Sequence, residues 1–147
     1  MKRQGSEPGL ISLMTQFSKA LHRRSSEELL GMRLKGYMAL TYVRDHDNVT
    51  QQELEGALMV DANAVVILLN ELEAAGLSVR RRDPEDRRRH LVELTSAGRR
   101  ALERADTARE GLEDEVLAGL TTEERATLRR LVQRVVDGML QPAEPRV

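Results

Sequence analysis

The chain has 147 residues, enough for one domain with its own hydrophobic core, and it contains no cysteine, which excludes disulfides, thiolate metal sites and a thiol redox switch. No apolar run approaches the ~20 residues of a membrane span and no signal-peptide core follows the amino terminus, so we expect a cytoplasmic protein that makes no membrane contact. The net charge is −1, yet residues 78–100 carry +4, from eight arginines against four acidic residues, so positive charge is concentrated in one stretch.

The first half of the chain has the apolar spacing of helices. A first helix is indicated by apolar residues that share one face: Leu10, Leu13, Met14, Phe17 and Leu21. Residues 32–43 are predicted to form another helix. Thr50 and Glu53 have the spacing of a capping box, which opens a short helix ending near Leu58.

The next predicted helix begins at an Asp61 cap and runs to Ala75, stopping at Gly76. Its inward face is predicted to consist of Val65, Leu68, Leu69 and Leu72. Its outward face then consists of Asn63, Val66, Ile67, Asn70 and Glu71. The helix holds three acidic residues and no basic residue, so it cannot neutralise phosphates by itself.

After Gly76 the spacing of apolar residues changes from that of a helix to that of short strands. Residues 77–80 and 91–94 are predicted strands joined by the polar turn 83–86, which together make a β-hairpin with a basic tip. Thr95 is in position to cap a long helix through about residue 119. A second capping box at 121–124 starts a last helix whose apolar stripe continues to residue 140.

This order predicts a mainly α fold with a small β-hairpin. Two short helices joined by a tight turn and followed by a charged hairpin are typical of a winged helix-turn-helix. We expect a single domain over 10–140, with the winged helix-turn-helix at about 32–95. The amphipathic segments 10–30 and 96–140 are predicted to be dimerisation helices, although the last stripe also suits an intramolecular core. Residues 1–9 and 141–147 are expected to be loose ends.

Three segments resemble the MarR family of bacterial regulators. They are Glu-Leu-Glu-Ala-Ala-Gly-Leu at 71–77, Asp-Pro-Glu-Asp-Arg-Arg-Arg at 83–89 and Leu-Thr-Ser-Ala-Gly at 94–98. In that family the terminal helices form the dimer interface, and a small anionic or phenolic effector often binds between the dimerisation and DNA-binding regions. The resemblance therefore implies a homodimeric, double-stranded DNA-binding transcriptional regulator, released as a repressor from a palindromic operator by such an effector.

The same resemblance implies roles for the hairpin arginines. Arg88 would enter the minor groove, where a narrow groove strengthens the negative potential, with Arg87 and Arg89 near phosphates. Asp86 would brace the loop by pairing with a hairpin arginine such as Arg82. The competing interpretation is a solvated charge run on an ordinary turn.

Two interpretations of the acidic helix stay open. Its Asn63 or Asn70 amide reads adenine while Val66 or Ile67 touches thymine methyl groups, or the apolar pair contacts a protein and specific DNA binding is weak or lost. Gln51 and Gln52, at the positive end of the preceding helix, are either phosphate contacts or exposed first-turn residues.

Candidates for an effector pocket are polar groups on the first two apolar helices: His22, Arg23, Arg24, Tyr37 and Tyr42. A buried tyrosine more often only satisfies its hydroxyl within the core, and the arginines suit an ordinary surface equally. The three histidines have no metal-ligand spacing, and there is no phosphate loop or nucleophile elbow. We therefore predict no enzyme activity, metal or cofactor.

Overall fold

The computed structural model describes residues 7–25 and 27–140 of the chain. Most of the expected loose ends, 1–6 and 141–147, lie outside the described residues. The elements in chain order are α1 Leu10–Arg24, α2 Glu27–Leu30, α3 Leu34–Asp45, α4 Gln51–Leu58, α5 Ala62–Ala74, β1 Ser78–Arg82, β2 His90–Leu94, α6 Ser96–Val116 and α7 Thr122–Leu140. The predicted class, mainly helical with one antiparallel hairpin, is confirmed.

The predicted starts of α4 and α5 are confirmed by their caps. Thr50 accepts from the Glu53 N–H at 3.0 Å while the Glu53 side chain reaches back to the Thr50 N–H, so the capping box of α4 is complete. Asp61 caps α5 through the Ala64 N–H at 2.8 Å. Local sequence determines these contacts, because each joins residues three positions apart.

Several element ends differ from the prediction, and α3 runs from Leu34 to Asp45 rather than over 32–43. β1 extends to Arg82, because the antiparallel register pairs Arg81 with Leu91 and Arg82 with His90, beyond the apolar alternation that marks the strand in the sequence. α6 ends at Val116 rather than near residue 119. A turn in which Leu120 donates to the Leu117 carbonyl at 2.9 Å leads into the capping box of α7 and ends α6 early.

One core connects the helices and the hairpin. Its fully buried side chains come from α3, α4, α5 and α6, and include Leu40, Leu54, Val65, Leu69 and Leu102. The predicted inward face of α5 is confirmed, since all its residues are buried. β2 joins this body through the Val92 N–H, which donates to the Val49 carbonyl at 2.9 Å. The hairpin is therefore held in a fixed position relative to α4 and α5.

The junction between α5, the hairpin and α6 depends on two glycines. Gly76 ends α5 with φ of +76°, which glycine adopts without a steric penalty. Thr95 donates to the Gly76 carbonyl at 2.6 Å and accepts from the Gly98 N–H at 2.9 Å. A Cβ on Gly98 would lie 2.0 Å from the Leu77 carbonyl oxygen. The segment Leu-Thr-Ser-Ala-Gly at 94–98 therefore closes the base of the hairpin.

The first and last helices expose their apolar faces. All residues of α1 and α7 are at least partly exposed in the isolated chain. The exposed apolar side chains of these two helices are Leu10, Ile11, Leu13, Met14, Phe17, Leu128, Leu131, Val132, Val135, Val136, Met139 and Leu140. Within the described ranges, no helix combines the length and apolar character needed to cross a lipid bilayer.

Candidate nucleic-acid interface

The hairpin, which we call the wing (residues 78–94), has an ordered tip. The Asp83 N–H donates to the Arg89 carbonyl and the Arg89 N–H donates to the Asp86 carbonyl, both at 3.0 Å. The Asp83 side chain is buried under the turn, where it accepts from the Glu85 N–H at 2.9 Å and pairs with Arg89 at 3.4 Å. The turn is thus closed by backbone and carboxylate together.

Asp86 braces the wing, but its partners are Arg88 and Arg89. Its carboxylate accepts from the Arg88 N–H and Nε at 3.1 Å and from Nη2 at 3.2 Å, and lies 3.6 Å from Arg89. The expected pair with Arg82 is wrong for the described chain, because Arg82 is at the end of β1 and the turn directs Asp86 toward the residues after it. The hydrogen bonds from Arg88 hold the pKa of the Asp86 carboxyl below its ordinary value.

The tip presents its arginines outward. The Arg88 side chain is 91% exposed despite its contact with Asp86, and Arg87 is exposed beside it. Arg81 pairs across the strands with Glu93. Within the described residues, Arg82 and Arg87 form no ion pair, so the tip offers cationic groups to an external anion.

The outward face of α5 is mostly as predicted. Asn63 and Asn70 are exposed, and Ile67 is 51% exposed between them. Val66 is only partly exposed, so it has less surface for a thymine methyl group than expected. The amide oxygen of Asn70 is not free, because Arg80 of β1 donates to its Oδ1 at 2.5 Å.

The acidic residues of α5 are compensated by arginines from other elements. Glu71 accepts from Arg33 at 2.9 Å, and Glu73 accepts from Arg80 at 2.7 Å. Asp61 is used as the cap. The conclusion that this helix is acidic therefore holds for its sequence but not for the surface around it, where two guanidinium groups offset two carboxylates.

Sequence reasoning missed Arg80 and Arg33 as partners of α5. Arg80 had a usable signal, since it is two residues beyond Ser78 on the same face of β1, and Ser78 is buried. Arg33 had none, because it is 38 residues from Glu71 along the chain.

Gln51 and Gln52 lie in the first turn of α4, as predicted. Gln52 is exposed, whereas Gln51 is partly covered. Their N-terminal position on the helix suits an anionic ligand. Their phosphate role stays a prediction.

The five candidates for an effector pocket do not converge on one cavity. His22 and Arg23 are exposed on α1, and the His22 ring contacts the Ser18 carbonyl of the same helix. Tyr42 stacks on His46 with ring centroids 3.9 Å apart, and its hydroxyl donates to Glu53 at 3.4 Å. His22 and Arg23 on α1 and Tyr42 on α3 therefore lie on different helices, and their role in effector binding stays a prediction.

Tyr37 instead belongs to a hydrogen-bond network between α3 and α6. Its hydroxyl donates to Asp106 at 2.5 Å and accepts from Arg109 Nε at 2.8 Å, and Arg44 donates to the second Asp106 oxygen at 2.6 Å. Burial raises the pKa of the Tyr37 hydroxyl, and the bond to Asp106 adds to that rise. The hydrogen-bonding capacity of the Tyr37 hydroxyl is therefore used within the fold, as the competing interpretation of this tyrosine expected.

Arg24 alone of the five lines a described cavity. A cleft of about 260 Å³ lies between α1 and the end of α6, lined by Phe17, Ala20, Leu21, Arg24, Glu115 and Val116. Arg24 pairs there with Glu115 at 3.0 Å. Across the described ranges, no three acidic or histidine side chains are grouped to hold a metal ion.

Comparison with known proteins relates this chain to a family of regulators. A family model described as MarR family covers residues 30–89. The helix-turn-helix-type transcriptional regulator YdgJ of Bacillus subtilis (strain 168) is 36% identical over 96 residues, which are 65% of this chain and 58% of that protein. The multiple antibiotic resistance protein MarR of Escherichia coli (strain K12) is 32% identical over 101 residues, which are 68% of this chain and 70% of that protein.

A solved structure shares the fold. The crystal structure of a mutant MarR from Escherichia coli complexed with operator DNA superimposes with a TM-score of 0.75 at 29% identity, over 86% of this chain and 92% of that one. The chain spans less than two thirds of the length of the Bacillus relative, namely 58%.

Proposed function

This chain belongs to the MarR family, and from that premise we propose that it is a double-stranded DNA-binding transcriptional regulator that acts as a homodimer. The relative YdgJ of Bacillus subtilis is named as a transcriptional regulator, which supports this kind of function rather than an enzyme activity. The solved relative bound to operator DNA supports a duplex as the partner.

The observation that carries the proposal is the exposed, braced Arg88 at the wing tip. Its side chain is 91% exposed, while its backbone N–H and its Nε both donate to Asp86. Such an arginine suits a narrow minor groove, where a cation gains most from the phosphate potential. Arg87, and Arg89 behind it, would contact the flanking phosphates, and Gln51 and Gln52 would contact phosphate at the start of α4.

The homodimer is supported by the apolar faces of α1 and α7. Residues such as Phe17, Leu131 and Val135 remain 45–50% exposed in the single chain, and exposed apolar stripes of this size mark interaction surfaces. We therefore propose residues 10–30 and 96–140 as the dimerisation region and about 32–95 as the DNA-binding region. A two-fold dimer would present two wings to a palindromic operator, with half-sites about one helical turn apart.

We further propose that the regulator is a repressor released by a small anionic or phenolic effector. The cleft beside Phe17 and Arg24 has an aromatic ring and a guanidinium group, which suit such a molecule. An effector acid would compete with Glu115 for Arg24, at the meeting point of α1 and α6.

The alternative, a protein that has kept the fold and lost specific DNA binding, rests on the acidic residues of α5, the second helix of the helix-turn-helix, which we call the recognition helix. Arg33 and Arg80 reduce the strength of that argument, because they pair with Glu71 and Glu73 beside the outward face. The exposed Asn63 and Ile67 are then free to meet base edges and thymine methyl groups.

A titration of labelled duplex from the promoter region beside its own gene, against a shuffled duplex of equal length, tests the proposal. We expect a preference for the promoter duplex and an affinity that falls with salt along a counterion-release slope. No preference, or a slope near zero, would contradict a specific regulator. Adding aromatic acids to the bound complex then tests release.

A further inference from the structure

The contact between β1 and the recognition helix fixes the Asn70 amide. Arg80 donates through Nη2 to Asn70 Oδ1 at 2.5 Å. A guanidinium has donors only, so the oxygen of the amide must face Arg80 and the NH2 group must face away. Asn70 itself is exposed on the same outward face as Asn63 and Ile67.

Arg80 is in turn held by Glu73. The Glu73 carboxylate accepts from Arg80 Nε at 2.7 Å and from Nη2 at 3.1 Å, a two-point contact that sets the plane of the guanidinium. Nε and Nη2 are therefore engaged, and within the described residues Nη1 has no protein partner. The three side chains form one unit on the surface of α5.

This unit offers hydrogen-bond donors and carries no net charge. Its free groups are the Asn70 NH2 and the Arg80 Nη1, both donors, and Glu73 balances the charge of Arg80. A neutral unit gains little from a phosphate, whereas two donors suit a base edge that presents two neighbouring acceptors. In the major groove, guanine presents N7 and O6 as acceptors, while adenine has an amino donor where guanine has O6.

We propose that Asn70 and Arg80 form a donor pair that selects guanine in the major groove of each half-site, with the Asn70 NH2 on N7 and the Arg80 Nη1 on O6. This inference rests on the proposed function, since it assigns a base to the recognition helix of a specific regulator. It replaces the adenine contact expected of Asn70 from the sequence, because the amide oxygen that adenine would need is already bonded by a cation. Asn63 keeps an unconstrained amide in the first turn of α5.

Selection from duplexes with a randomised core gives the preferred site of the wild-type protein. We expect a guanine at one symmetric position of each half-site. Replacing that guanine with 7-deazaguanine removes N7 alone, and we expect the wild-type affinity to fall about tenfold. Asn70→Asp keeps the acceptor for Arg80 and removes the NH2, so this variant should bind the two duplexes equally.

Asn63→Asp is the matched control, because it adds the same charge to the same helix. Both variants should lose overall affinity, but only Asn70→Asp should lose the 7-deazaguanine effect. Arg80→Ala frees the Asn70 oxygen and should shift the preference at that position from guanine toward adenine. Thermal unfolding checks that Arg80→Ala is folded. If Arg80→Ala does not fold, the comparison between Asn70→Asp and wild type still tests the contact with guanine.

The inference is overturned if the 7-deazaguanine penalty is the same in Asn70→Asp and wild type. It is also overturned if Asn70→Asp weakens all sequences equally, as a phosphate contact would, or if the selected site holds no such guanine. If the wild-type protein selects no sequence, the proposed function has failed and the inference falls with it, a result distinct from a selected site that ignores Asn70.

Discussion

Asp86 holds Arg88 by both its backbone and its side chain, at 3.1 Å each, and yet Arg88 is among the most exposed side chains of the wing. An acidic residue at a DNA-binding tip is repelled by phosphate, so its presence there needs a reason. The reason we infer is order: the carboxylate fixes the turn from which the guanidinium extends. If only charge mattered, removing Asp86 would strengthen DNA binding. The contact with Arg88 predicts the opposite, a weaker binding.

Asp86→Ala removes a negative charge from the tip and should still weaken DNA binding. We expect a loss of roughly three- to tenfold, because a free arginine must be ordered when the duplex binds. Glu85→Ala is the control, since it removes an equal charge from an exposed neighbour, and it should leave the affinity unchanged or raise it. Titration of one operator duplex with both variants compares them. Stronger binding by Asp86→Ala would mean that Asp86 does not organise the wing.

Gly98→Ala should strongly destabilise the protein. The added Cβ would lie 2.0 Å from a backbone oxygen of Leu77, which cannot rotate away as a side chain would. We expect a loss of more than about 3 kcal/mol of unfolding free energy. Gly111→Ala in the same helix meets nothing within 4 Å and should instead stabilise, by about 0.5–1 kcal/mol. Urea unfolding at fixed protein concentration measures both, and equal effects would contradict the close packing at the wing base.

We expect Asp106 to make the folding stability of the protein depend on pH. Burial raises its pKa, but the hydrogen bonds from Tyr37 and Arg44 outweigh it, and the pKa is lowered from its ordinary value of 3.8. A group with a lowered pKa in the folded state stabilises the fold above its unfolded pKa, and this stabilisation is lost as the pH falls through the folded pKa.

Asp106→Asn should therefore cost about 1–3 kcal/mol at pH 7, and the difference from wild type should shrink below about pH 4. Asp45→Asn is the control, because Asp45 also pairs with Arg44 but is 55% exposed, and it should cost less than about 1 kcal/mol. Urea unfolding at several pH values gives the comparison. A difference between Asp106→Asn and wild type that does not depend on pH would contradict this role.

Val135→Glu should convert the dimer into monomers. Val135 lies on the α7 stripe and is 50% exposed in the single chain, so a carboxylate there would be buried without a partner at a shared interface. Arg130→Glu introduces the same residue on the opposite face of α7 and should leave the dimer intact. Sedimentation at micromolar concentration distinguishes the two. If Val135→Glu stays dimeric, the dimer interface does not include this face of α7.

The features that could be predicted from the sequence are those determined by residues close together in the chain or by the spacing of apolar residues. The Thr50 capping box and the Asp61 cap depend on contacts between residues three positions apart, and the buried face of α5 follows the spacing of its apolar residues. The contacts that shape the candidate site were not predictable in this way. Arg33 is 38 residues from Glu71, and Tyr37 is 69 residues from Asp106.

Those distant contacts changed the interpretation of the site. The charge of α5, counted along the sequence, suggested a helix poorly suited to DNA, and its partners came from α3 and β1. Asp86 was expected to brace the wing, but the choice of Arg82 as its partner ignored the direction of the turn. The Tyr37 hydroxyl, a candidate group for an effector pocket, is bonded to Asp106 of α6 instead.

Arg88→Ala provides the most direct test of the central claim, that the wing binds DNA by inserting Arg88 into the minor groove. The measurement is a titration of the operator duplex at several salt concentrations, with Arg104→Ala as the control, an exposed arginine on α6 outside the wing. We predict that Arg88→Ala weakens binding about tenfold or more and lowers the salt dependence, while the protein stays dimeric and Arg104→Ala binds as wild type. An affinity for Arg88→Ala that equals wild type at both low and moderate salt would contradict the claim.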